Sequence, residues 1–186
     1  FNNSFFISNI SKKKIEETLA INVVFSIIIL FIFGMFNRLD LGYYTYLIFT
    51  VGALVGNIIF LIKQKFKNLK YLLTSGLIIS FLLYAFFIIL NKGRMLSVWD
   101  EFSHWGLVVK NMFMLNNFGL GSDSTLLARG YLSGTSLFQY LALKIGGNFN
   151  ETYMFTAMNF IYLSLVIPIA QKIKIKNVLT QILLFL

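Results

Sequence analysis

The sequence predicts an all-α fold, a polytopic transmembrane helix bundle with amphipathic interfacial helices in a long outward loop. Of its 186 residues, 58% are hydrophobic and only 12% are charged, and the mean hydropathy is +0.77. Soluble domains hold about 45–50% apolar and about 25% charged residues. The net charge of +9 does not indicate a nucleic-acid partner, because there is little polar surface to carry a basic patch. The lack of cysteine excludes a disulfide scaffold and a thiolate metal site.

Uncharged apolar runs define the membrane spans. A helix needs roughly 20 apolar residues to cross about 30 Å of hydrocarbon, and four runs reach that length. They predict spans over about 18–37, 41–62, 71–91 and 152–171. Another apolar run begins at about 178 and reaches the C-terminus, and the chain begins with Phe1 rather than Met. We therefore expect residues 1–186 to form a single partial transmembrane domain of a longer protein.

The distribution of lysine and arginine predicts the orientation. Three short basic stretches fall on one side of the predicted membrane, and they lie at 12–14, 63–70 and 172–176. The opposite side carries six basic residues and five of the seven acids. Net charge is then about +8 on the first side and about +1 on the second, and the positive-inside rule places the first side in the cytoplasm.

A long outward segment, about 92–151, separates the last two spans. Trp105 to Phe118 and Tyr131 to Ile145 carry apolar residues at helical spacing but are too short to cross, so we expect amphipathic helices at the membrane interface. Residues 116–124 are rich in Asn, Gly and Ser and predict a turn between them. Gly52 and Gly56 form a GxxxG pattern in the second span, which is typical of close helix packing.

The segment Trp99-Asp100-Glu101-Phe102-Ser103-His104-Trp105 is the strongest candidate for chemistry. It contains the only histidine and both tryptophans, and it follows the third span by about ten residues. In an α-helix, Asp100 and Glu101 would share one face with His104. Such a group could bind a divalent cation, or one carboxylate could accept a proton from an attacking hydroxyl.

Structural explanations compete with each of these functional ones. Trp99 and Trp105 at a membrane boundary are typical interfacial anchors. Three basic residues of the outward segment could contact a lipid phosphate, and they are Arg94, Lys110 and Arg129. Asp123 and Glu151 are expected to be solvated.

The octapeptide from Trp99 to Gly106, followed by Lys110, resembles the acidic loop signature of bacterial GT-C glycosyltransferases. The run from Tyr131 to Tyr140 is similar to a later element of that family. The resemblance covers Arg94 to Tyr140. Many relatives place the acidic loop after the first span, whereas here it follows the third predicted one, which suggests a subfamily with additional N-terminal helices.

The resemblance implies a multi-pass enzyme of the bacterial cell membrane that moves a sugar from a polyprenyl-phosphate donor to an extracytoplasmic acceptor. It implies that Asp100 is the catalytic carboxylate, as general base or metal ligand, and that Glu101 is its acidic partner. His104 would be a metal ligand or a substrate contact, and the metal would be Mg or Mn. The remaining implied substrate-binding residues are Trp99, Trp105, Arg94, Lys110, Arg129 and Tyr131.

Two other functions fit the same composition. One is a transporter or flippase of a lipid-linked glycan, which usually has ionisable residues inside its spans. The four uncharged runs argue against it. The other is a non-catalytic multi-span subunit whose outward segment docks a partner.

Overall fold

The computed structural model describes residues 1–63, 74–126 and 134–172, and most of these residues are helical with no strand among them. Within these ranges seven α-helices follow one another: α1 (Asn2–Ser11), α2 (Ile15–Met35), α3 (Leu39–Lys63), α4 (Ser75–Leu90), α5 (Gly106–Leu115), α6 (Gly134–Gly146) and α7 (Glu151–Val166). A π-helical turn, Glu101–Trp105, leads into α5, and a 3₁₀ turn, Ile167–Lys172, continues α7.

Three helices in the described part of the chain are long and apolar enough to cross a membrane. They are α2, α3 and the stretch Glu151–Ile169, with 21, 25 and 19 residues. The helix α4 is equally apolar but has only 16 residues. The expected third span was 71–91, of which residues 71–73 lie outside the described part, as does the expected span from 178. The described chain therefore fits a membrane protein, and α4 is shorter than its predicted span.

The long helices alternate in direction. Leu19 of α2 packs against Leu163 and Ile167 at the far end of α7, so these two helices are antiparallel. Gly76 of α4 touches Glu16 of α2, so α2 and α4 begin at the same level. We name that level the lysine end, since it holds residues 12–14 and Lys63. The opposite level, with residues 36–38, 91–105 and 147–150, is the loop end.

The two amphipathic helices of the outward segment, α5 and α6, pack against the bundle. Val108 and Met112 of α5 and Leu137 and Tyr140 of α6 are buried in one cluster with Leu30 of α2. Tyr140 donates a hydrogen bond to Asn116 Oδ1 at 3.0 Å. The sequence predicted both helices but not this docking, which makes α5 and α6 part of the core.

The helix α1 was not expected from the sequence. It packs between α2 and α3 and is held to α3 by side-chain amides. Asn57 Nδ2 donates to the Asn2 carbonyl at 2.9 Å, and Asn9 Nδ2 donates to Asn57 Oδ1 at 3.0 Å. Asn3 Nδ2 donates to Thr50 Oγ1 at 2.9 Å. Amide pairs of this kind hold helices together where water is excluded.

The two glycines of the GxxxG pattern have different environments, and this gives a matched test. A Cβ on Gly56 would lie 2.4 Å from Phe6 Cε2 of α1, whereas a Cβ on Gly52 would meet nothing within 4 Å. We expect Gly56→Ala to lower the free energy of unfolding by roughly 1–3 kcal/mol through overpacking, and Gly52→Ala to have little effect. Thermal unfolding in detergent compares the two, and equal Tm values would contradict the docking of α1.

Candidate functional site

The segment with the candidate residues begins where α4 ends at the loop end. Gly93 has φ of 72°, a left-handed conformation that glycine adopts without strain. The chain then turns back, and residues 101–105 form a π-helical turn closed by the hydrogen bond from Gly106 N–H to the Glu101 carbonyl. A Cβ on Gly106 would lie 2.2 Å from Leu96 Cδ1, so only glycine fits where the turn meets α5. Single π-turns inside helices are frequent at functional sites.

Glu101 holds this turn together. Its Oε2 accepts hydrogen bonds from the backbone N–H groups of Ser97 at 3.1 Å and Val98 at 3.2 Å. Its Oε1 lies 3.6 Å from Nη2 of Arg94. The two backbone hydrogen bonds, and then the charge of Arg94, lower the pKa of Glu101. Glu101 is therefore an ionised side chain that positions the loop.

Asp100 lies beside Glu101 but in a different environment. It is exposed, and no hydrogen bond or ion pair joins its carboxylate to any residue in the described ranges. It directly precedes the π-turn, at the N-cap position. The structure thus leaves the Asp100 carboxylate open to an external group.

The three expected metal ligands do not form a metal site. Glu101 is engaged with backbone N–H groups, and the half-buried His104 ring packs edge-on against Trp105 with 4.6 Å between ring centroids. Across the described part of the chain, no group of three His, Cys, Asp or Glu side chains is arranged to hold a metal ion. A bound Mg or Mn stays a prediction, and we assign no step to a metal.

The basic candidates lie around the turn. The Arg94 guanidinium carbon is 3.8 Å from the ring centroid of Phe155, and the Lys110 ammonium is 5.8 Å from that of Phe149. Lys92 and Arg94 line an open groove of about 560 Å³. Arg129 and Tyr131 lie outside the described residues. Two cations, Lys92 and Arg94, therefore border one groove at the loop end.

Glu151 was expected to be solvated, and the structure shows it half-buried at the edge of the groove. Its Oε2 accepts a hydrogen bond from the Leu96 N–H at 2.6 Å, which ties the start of α7 to the loop before the turn. Asp123 is exposed, as expected, and accepts a hydrogen bond from Ser122 Oγ at 3.2 Å. A small cavity of about 230 Å³ lies beneath the turn and is lined by Glu101, Trp105 and the α6 residue Gln139.

A buried acid at the lysine end was missed by sequence reasoning. Glu16 is 1% exposed, and its Oε2 has no hydrogen-bond partner among the described residues. A Cβ on Gly76 would lie 2.3 Å from Glu16 Oε1, so α4 approaches this carboxylate closely. The pair Glu16-Glu17 beside three lysines is typical of a solvated helix start, and only the packing of α4 reveals the burial.

Comparison with protein-family models, curated protein sequences and solved structures finds no match.

Proposed function

We propose that this chain is part of a membrane glycosyltransferase that transfers a sugar from a polyprenyl-phosphate donor to an extracytoplasmic acceptor. The observation that carries the proposal is the exposed Asp100 carboxylate, which has no partner among the described residues and directly precedes a π-turn at one end of a membrane-type helix bundle. A lipid-linked donor keeps its tail in the bilayer, so its sugar–phosphate bond lies near the same level. The sequence resemblance to GT-C enzymes supports the same function.

The reaction we propose is a single displacement. The acceptor hydroxyl oxygen attacks the anomeric carbon of the donor sugar as its proton passes to the Asp100 carboxylate. The bond between the anomeric carbon and the phosphate oxygen breaks, and its electron pair leaves with the polyprenyl phosphate. Attack from the face opposite the leaving group inverts the configuration.

Cations near the groove have a role in this reaction. Lys92 and Arg94 border the groove, and Lys110 lies on the adjoining helix α5. Positive charge placed where negative charge develops on the leaving phosphate stabilises the transition state. Glu101 holds Arg94 and the backbone of the turn, so we assign it a positioning role rather than a catalytic one.

The proposal also orients the chain. We place the lysine end in the cytoplasm, because the short basic stretches at 12–14 and 63–70 follow the positive-inside rule. The loop end, with Asp100, is then extracytoplasmic, where acceptors of the cell envelope are found.

A second candidate is a flippase of the same lipid-linked sugar. The buried Glu16 in the first turn of α2 is the observation that favours it, because buried ionisable groups of membrane proteins are typical of transport pathways. Glu16 precedes the uncharged run 18–37, so the uncharged runs still argue against transport.

One experiment separates the two functions. The full-length protein is reconstituted in liposomes with a panel of radiolabelled polyprenyl-phosphate sugars and with candidate acceptors. We expect the label to leave the lipid for an acceptor, with release of polyprenyl phosphate. Movement of intact donor between leaflets without bond cleavage would support the flippase, and label that stays on the lipid with every donor would overturn the proposed enzyme.

A further inference from the structure

Large apolar side chains stand exposed around the π-turn at the loop end. Five of them form a patch that we name the wedge: Met95, Val98, Trp99, Phe102 and Trp105, exposed by 70%, 59%, 71%, 47% and 46%. Trp99 and Phe102 pack edge-on within it, with 5.3 Å between ring centroids. An exposed apolar patch that includes two tryptophans indicates a binding surface rather than a surface facing water.

The wedge follows α4, a helix that is too short to span the hydrocarbon core of a bilayer. The helix α4 starts level with α2, because Gly76 touches Glu16. Its 16 residues extend about 24 Å, whereas α2 extends about 31 Å and the hydrocarbon core is about 30 Å thick. The chain that follows α4 therefore begins several ångströms below the level at which α2 ends.

The apolar surface of α4 continues into the wedge. Ile88, Ile89 and Leu90, the last residues of α4, are exposed by 47%, 73% and 59%. Lys92 and Arg94 come two and four residues after Leu90, and long basic side chains near tryptophans are typical of the boundary between headgroups and acyl chains. The residue types of this surface and its position near the end of the membrane-type helices both indicate that lipid covers it.

The helices α5 and α6 do not offer such an apolar surface to lipid. Their apolar faces are buried against α2, with Val108, Met112 and Leu137 exposed by no more than 1%. The interfacial element expected in this part of the chain is therefore the loop before α5.

We propose that the wedge inserts into the headgroup–acyl boundary of the bilayer at the loop end and covers the stretch that α4 leaves unspanned. Met95, Val98, Trp99, Phe102 and Trp105 contact lipid, and Lys92 and Arg94 reach the headgroups. Asp100 sits within the wedge sequence, so insertion holds its carboxylate at the membrane surface. This membrane contact does not depend on the proposed function.

The chain carries its own probes for the test, because its only two tryptophans are Trp99 and Trp105. The protein is reconstituted in vesicles of phosphatidylcholine brominated either near the headgroup end or near the methyl end of the acyl chains. We expect tryptophan fluorescence to fall more with the first lipid than with the second. The single variants Trp99→Phe and Trp105→Phe assign the loss to each ring.

A tryptophan at a position of known depth is the control for the quenching by the two brominated lipids. Val51 lies at the middle of α3 and is 61% exposed, so Val51→Trp in a protein with both native tryptophans replaced by Phe should be quenched more by the deeper bromines. Quenching of the native tryptophans by aqueous iodide and by neither brominated lipid would overturn the wedge. Resistance to all three quenchers would also overturn it, because the surface would then be covered by protein. Sugar transfer is measured separately, so either failure leaves the enzyme proposal standing.

Discussion

Replacement of Asp100 by Asn is expected to reduce sugar transfer to background while the protein still inserts and folds. The carboxylate is exposed and has no partner in the described residues, so its loss breaks no contact that holds the fold. An amide has nearly the same shape but cannot accept the proton of the attacking hydroxyl. General-base catalysis contributes about 10²- to 10⁴-fold to a rate, so we expect the transfer rate to fall by at least about 100-fold.

The neighbouring acids supply matched controls for this measurement. Asp123→Asn changes another exposed carboxylate of the same segment and should leave transfer unchanged. Glu101→Gln weakens the hydrogen bonds to Ser97 and Val98 and the pair with Arg94, so it should cost stability of the turn as well as rate. Initial rates with saturating donor, normalised to folded protein in the membrane, give the comparison. Near-wild-type transfer by Asp100→Asn would remove Asp100 from the reaction.

The long helices could be predicted from sequence because hydropathy and length depend only on local residues. The run 41–62 lies within α3 (Leu39–Lys63), and the run 18–37 overlaps most of α2, which covers Ile15–Met35. The third run, 71–91, predicted a longer helix than α4. The helix ends at Asn91, and Thr74 caps its start by accepting a hydrogen bond from the Leu77 N–H. Composition does not locate such caps inside an apolar run.

The helix α1 could not be predicted because its stabilising partners are distant in the sequence. Asn2, Asn3 and Asn9 are polar residues of a short segment, and they are paired through Thr50 and Asn57, which lie 47 or more positions away. A pattern of period 3.6 is weak in such a segment, and only the assembled α3 supplies the hydrogen bonds.

The candidate segment could be chosen from the sequence, but the arrangement of its side chains could not. An α-helical arrangement would have put Asp100, Glu101 and His104 together, whereas the π-turn and the backbone N–H groups of Ser97 and Val98 draw Glu101 away. Carboxylates that find backbone donors three or four residues away compete with regular helix geometry. The same hydrogen bonds place the two acids in different environments.

Tyr140→Ala is expected to give the largest loss of stability in the described core. Tyr140 is fully buried and packs among Leu30, Val108 and Met112, so truncation leaves a cavity where α5 and α6 meet α2. Large aromatic-to-alanine changes in cores cost about 3–5 kcal/mol. Burial also raises the pKa of Tyr140, so its hydroxyl stays protonated and donates to Asn116 Oδ1.

Two further variants separate packing from hydrogen bonding in this prediction. Tyr140→Phe keeps the ring and removes only the bond to Asn116, which should cost about 1 kcal/mol. Tyr162 is 58% exposed on α7, so Tyr162→Ala should leave Tm within a few degrees of the wild type. Thermal unfolding in detergent compares the Tm values of the three variants.

If Tyr140→Ala unfolds at the same temperature as Tyr162→Ala, then α6 does not dock in the bundle. In that case it lies on the membrane surface, as its amphipathic sequence alone would allow. A large loss for Tyr140→Ala would instead place the two helices that flank the site inside the folded core, where they can hold the π-turn and Asp100 rigidly.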